Sequence, residues 1–163
     1  MAEPGNAGLN TAGAASQPNL SVLSQYVKDF SFENPGAPQS LRPRNTPPNI
    51  NISIGVQSQP VGNNEIEVEL RIDARAVEGQ AVLFAIELVY AGVFRFTNIP
   101  GEQVRPVALI ECPRLLFPFA RQIVAEASRN GGFPPLLIDP VDFVQMFRQQ
   151  VAGETGQGAG APN

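Results

Sequence analysis

The sequence contains no histidine and no tryptophan, and its single cysteine is Cys112. Histidine is the side chain that titrates near neutrality and the commonest zinc ligand. A Ser-His or Cys-His nucleophile and a histidine-held metal are therefore both excluded. One cysteine allows no internal disulfide and no cysteine pair with metal-site spacing, which fits a reducing compartment, so a cytoplasmic location is expected. No glycine-rich phosphate loop is present. No apolar run reaches the about 18 residues of a membrane span, and no cationic start leads into an apolar stretch, so neither direct membrane insertion nor a secretory signal is expected. Charge is scarce at 16%, with 15 acidic against 11 basic residues and a net charge of -4. That balance disfavours a nucleic-acid partner and favours a basic one.

Proline (16) and glycine (15) are plentiful, and their placement divides the chain. Residues 1–19 are mostly Ala, Gly, Asn and Pro, and ordering them would cost backbone entropy for little burial, so a disordered extension is expected. Residues 153–163 have the same character and read as a flexible tail. Residues 20–152 are long enough for one core and form the domain. Within it, Pro35, Pro38, Pro43, Pro47 and Pro48 make residues 34–49 an extended connection.

Four strands are expected. Tyr26, Lys28, Phe30 and Phe32 alternate with Val27, Asp29, Ser31 and Glu33. Ile50, Ile52, Ile54 and Val56 alternate with polar residues or glycine. Ile66, Val68, Leu70 and Ile72 oppose Glu65, Glu67, Glu69, Arg71 and Asp73 in a clean period of two. Residues 82–96 are apolar on both faces near their start, with Glu87 as the lone charge among Leu83, Ala85 and Val89. Gly62-Asn63-Asn64 and Glu78-Gly79-Gln80 are hairpin turns. The period then lengthens. Leu116, Phe119, Ala120, Ile123, Val124 and Ala127 follow helical spacing, stopped by Gly131-Gly132, and Phe143, Phe147 and Val151 mark a last helix. Pro113 and Pro140 suit first helical positions, with Asp139 as side-chain cap. Strands followed by helices give an α+β fold, a four-stranded antiparallel sheet with C-terminal helices. Apolar surface on both faces of the fourth strand exceeds what one helical layer covers, which points to self-association.

Cys112 precedes Pro113 at an expected helix start. A reactive thiol is one reading, and a small apolar filler is the plainer one. Asp29 and Glu33 share a strand face about 13 Å apart, too far for an acid/base pair, and read as points on an acidic surface. Glu65, Glu67 and Glu69 read as a solvated face that guards against edge association.

Two stretches carry more than periodicity. One is Tyr26-Val-Lys-Asp-Phe-Ser-Phe-Glu-Asn-Pro-Gly-Ala-Pro38; the other runs from Glu111-Cys-Pro-Arg-Leu-Leu-Phe-Pro-Phe-Ala-Arg121 through Gly131-Gly132-Phe133-Pro134-Pro135 to Asp139-Pro140-Val141-Asp142-Phe143. Together they resemble the SecB family of bacterial protein-export chaperones, over roughly residues 26–150. The resemblance implies an ATP-independent holdase that needs no cofactor, is not an enzyme, keeps precursor proteins unfolded and delivers them to the SecA motor. It implies a homotetramer built as a dimer of dimers, joined through residues 21–32 and the helix after Pro113. Asp29, Glu33 and Glu87 match family positions that dock SecA, and carboxylates on a rigid face attract a cationic partner whatever its name. Ile50, Ile52, Ile54, Phe133, Leu137, Phe143 and Phe147 are the candidates for an unselective apolar client groove, and regular spacing alone would equally make them core. A SecB-like chaperone dedicated to an antitoxin and a small-molecule-binding α+β domain are the rival readings.

Overall fold

The computed structural model describes residues 16–157. Strands β1 (Asn19–Glu33), β2 (Asn49–Gly62), β3 (Glu65–Glu78) and β4 (Ala81–Thr97) form one antiparallel sheet in the order β1-β4-β3-β2. The two hairpin turns fall where the sequence places them, with Asn64 at φ 57° and Gly79 at φ 60° supplying the left-handed residues that tight connections need. β1 crosses from one edge of the sheet to β2 at the other through residues 34–48. The crossover holds a short 3-10 turn, Gln39–Leu41, pinned where the buried Ser40 hydroxyl donates to Asn34 Oδ1 at 2.6 Å.

Even-numbered residues of β3 and β4 stand opposite one another, Leu70 with Tyr90, Ile72 with Leu88 and Ala74 with Ile86, and form the inner face, buried under the helices. The odd-numbered residues form the outer face. β1 departs from strict alternation through irregularities between Val22 and Ser24 and between Val27 and Asp29. An extra residue in one strand flips the facing of every residue after it, and a second flip restores it. Tyr26 therefore stands beside Ala91 on the outer face, whereas Phe30 and Phe32 stand beside Leu88 and Ile86 on the inner one. The expectation that Tyr26, Lys28, Phe30 and Phe32 share a face is corrected by these bulges.

The helical region begins earlier than Pro113. Helix α1 (Gly101–Pro106), a π-helical turn (Val107–Glu111) and helix α2 (Cys112–Asn130) succeed one another without leaving right-handed helical backbone. In the wide turn the Cys112 amide donates to Val107 O, five residues back. Pro113 has no amide to give Leu109 and its ring would crowd that carbonyl, and widening the preceding turn relieves both problems. Cys112 thus sits inside a helical run, where burial and then the Glu111 carboxylate push its thiol from 9.0 up to about 12. The plain reading of a small, inert filler is the one its surroundings support.

Leu116, Phe117, Ala120, Val124 and Ser128 make up the buried side of α2. Helix α2 ends at Gly131 and Gly132, and a Cβ on Gly131 would lie 2.1 Å from the Phe32 ring, so only glycine lets the strand and helix approach this closely. Phe133 then turns inward against Phe84, 4.8 Å between ring centroids, and the Leu136 amide donates to Ser128 Oγ at 2.8 Å, tying the non-helical bend to the core. Helix α3 (Phe143–Gln157) starts three residues after Pro140, and its cap is Asp142, which accepts from the Gln145 amide at 3.0 Å, rather than Asp139. It also runs into the stretch read as a tail: Arg105 and Glu154 pair at 2.6 Å, and the Thr155 hydroxyl bonds back to the helix. Residues 1–15 and 158–163, which complete the expected extension and tail, lie outside the described residues.

Candidate functional site

The outer face carries no helix; its charged side chains flank the largely apolar row Ala85, Val89, Ala91 and Val93 of β4. Asp29 stands opposite Val89, Ser31 opposite Glu87 and Glu33 opposite Ala85, so all three candidate carboxylates are brought onto this face around Ser31. Each is exposed, and none takes part in an ion pair among the described residues. Asp73 of β3 stands opposite Glu87 and adds a fourth acidic group, with Arg71 and Arg75 on either side of it along β3. The arrangement is an electrostatic surface rather than a reaction centre, and no cluster of three or more metal-ligating side chains exists among the described residues.

Sequence reasoning missed the other half of this face. Glu67, read as solvated, is only 7% exposed. It accepts from Tyr26, from Lys28 at 2.8 Å and from Gln59 at 2.8 Å, and Lys28 reaches Glu69 as well. The Lys28 bond first, then the Tyr26 hydroxyl, hold Glu67 down from the ordinary 4.5 to about 2. Burial and the bond to Glu67 push Tyr26 from 10.0 up to about 12, and Lys28 is raised chiefly by Glu67. The signal was the pairing of Tyr26 and Lys28 with the glutamate run, but only the bulges of β1 turn both toward β3.

Apolar surface is left open in two places. Along β1, the inner-face side chain Phe30 and the α2 side chains Leu115 and Phe119 are exposed, and Phe30, Phe32, Ile123, Ala127 and Gly131 line a cavity of about 360 Å³. The second lies between the crossover and the bend. A cavity of about 460 Å³ is walled by Leu41, Phe133 and prolines of both segments, with Arg42 and Arg44 also at its wall, and β2 leads away from Pro48. Ile50 and Ile52 are exposed on β2, Ile54 is half-buried, and Leu137 is 65% exposed. Phe147 is half-buried against the core. Phe143 departs from the expectation of a groove wall: it is 2% exposed and packs edge-on against Phe117, 6.0 Å between centroids, because the first turn of α3 faces α2. Residues 45–64 contain no charged side chain at all, so β2 is an edge strand without the usual lysine or carboxylate guard.

Comparison with known proteins agrees with this architecture. The family described as preprotein translocase subunit SecB matches residues 13–154. A protein-export protein SecB of Xanthobacter autotrophicus is 64% identical over 138 residues, covering 84% of this chain and 88% of that one. A protein-export protein SecB of Brucella anthropi is 57% identical over 150 residues, covering 92% of each. Among solved structures, a Mycobacterium tuberculosis SecB-like chaperone in complex with a peptide from an antitoxin shares the fold, with a TM-score of 0.58 at 15% identity over 75% of this chain and 90% of that one. With the family matched over most of its length and relatives this similar, the chain belongs to the SecB family.

Proposed function

We propose that this chain is an ATP-independent holdase of protein export, which binds unfolded precursors, keeps them competent for translocation and hands them to SecA. The observation that carries the reading is the cavity of prolines, Leu41 and Phe133 between crossover and bend, continued onto the exposed isoleucines of an uncharged edge strand. Such a surface binds by burial and by main-chain pairing with an extended chain, neither of which demands a particular sequence. Ile50, Ile52, Ile54, Leu137 and Phe147 are the proposed contacts, with Phe133 as the cavity floor. Phe143 supports them from within the core. Asp29, Glu33 and Glu87 form the proposed docking face for basic groups of SecA, a contact that weakens with salt. The exposed strip of β1 and α2 fits association of copies edge to edge and helix to helix, into the dimer of dimers that the family resemblance implies. A cytoplasmic, non-enzymatic protein without a cofactor completes the reading.

Export is favoured over service to a single antitoxin because the relatives at 57% and 64% identity carry the export name, whereas the fold neighbour solved with an antitoxin peptide is 15% identical. The test is capture of a denatured export precursor. Ile52→Asp should reduce capture at least tenfold with the assembly intact, since it places a charge on a desolvated contact. Undiminished capture by this variant would refute the groove.

A further inference from the structure

We propose that Lys28 is a specificity-determining residue of the outer face: by pairing with both Glu67 and Glu69 it leaves the unpaired carboxylates at the end of the sheet that carries Asp29, Glu33 and Glu87, and so biases where a basic partner docks. The inference rests on the docking reading above and adds to it a reason why one end of the face is chosen over the other.

The sheet lays the outer face out in rows. Glu65 stands opposite Arg95, Glu69 opposite Ala91, Arg71 opposite Val89, Asp73 opposite Glu87 and Arg75 opposite Ala85, so two arginines without an ion pair among the described residues also lie at the end of Asp29 and Glu33. At the first end three glutamates share two cations, and each carboxylate is ion-paired. Glu65 pairs with Arg95 at 2.7 Å, and Lys28, crossing from β1 over β4 to β3, pairs with both Glu67 and Glu69. Tyr26 and Gln59 occupy further acceptor positions of Glu67. Ala91, between Tyr26 and Glu69 in the ladder, is fully buried although no helix covers this side, so the β1 side chains lie across the strand as a lid. At the other end Asp29, Glu33 and Glu87 are exposed without an ion pair among the described residues. One lysine therefore stands between a face whose unpaired carboxylates lie at one end and a face with unpaired carboxylates along most of its length. For a partner steered by charge, that difference sets the register of docking as well as its strength.

Lys28→Met removes the charge and keeps the aliphatic stem over β4. Titration with purified SecA at low and at moderate salt should show roughly threefold tighter binding at low salt and a steeper salt dependence than the parent chain, with Lys28→Arg matching the parent. In the triple variant Asp29→Asn/Glu33→Gln/Glu87→Gln, adding Lys28→Met should restore part of the lost affinity by opening the second acidic end. Glu69→Gln, which leaves all three donors of Glu67 in place and so does not depend on tolerance of the methionine, should weaken binding. An unchanged affinity and salt slope in Lys28→Met and in Glu69→Gln would overturn the proposal. A triple variant that binds like the parent would instead sink the docking reading beneath it.

Discussion

Gly131 and Glu67 each do work that their neighbours in sequence do not announce. Any side chain at Gly131 would drive the Phe32 ring out of its stack on Phe84, whose centroid lies 6.0 Å away. Gly131→Ala should therefore cost about 1–3 kcal/mol in urea denaturation, the usual result of overpacking. Glu67 makes a pH prediction. Its folded pKa is depressed from 4.5 to about 2, so its contribution is complete above pH 4.5 and drains away as the pH falls toward 2. Glu67→Gln should flatten the acid limb of stability in that window, while a limb unchanged by the substitution would mean that other carboxylates set it. The glycine stop was legible because Gly131-Gly132 comes directly after a helical stripe. The polar knot was not, because alternation assigns Glu67 to water and only the facing of Tyr26 and Lys28 changes that.

Strands were easier to read than helices, and the reason is proline. The period of two in β3 reports directly on a sheet with one covered face, and both hairpin turns arise from Asn and Gly at left-handed positions. Pro113 looked like a helix start because a proline inside a helix normally breaks it, yet the π turn upstream lets the backbone continue from Gly101. For α3 the cap expected at Asp139 is supplied three residues later by Asp142. Asp142→Ala should cost about 1 kcal/mol of stability, whereas Asp139→Ala should cost a few tenths at most, a difference that thermal unfolding resolves. Phe143 belongs to the same element. Its ring is enclosed between α2 and α3, so Phe143→Ala should lose about 3–5 kcal/mol, and a mild effect on folding with a large loss of client capture would return it to the groove.

On the scale of the molecule the two faces of one sheet divide the labour. The inner face buries the core under α2 and leaves two apolar margins, one along β1 and one along β2 and the bend. The outer face carries the sheet's charges, sorted by strand register. That apolar surface is left over was legible in the sequence, but the reason drawn from the fourth strand was not the right one: Val89 and Ala91 on its outer side are buried, and the open surface lies on β1, β2, α2 and the bend. Its division into margins was not legible, because that depends on β1 and β2 lying at opposite edges of the sheet. Sedimentation velocity of the chain, alone and with a denatured export precursor, tests the central claim most directly. The expected result is an assembly several times the 17.4 kDa protomer that takes up the precursor and co-sediments with it. A lone protomer that leaves the precursor free would contradict it.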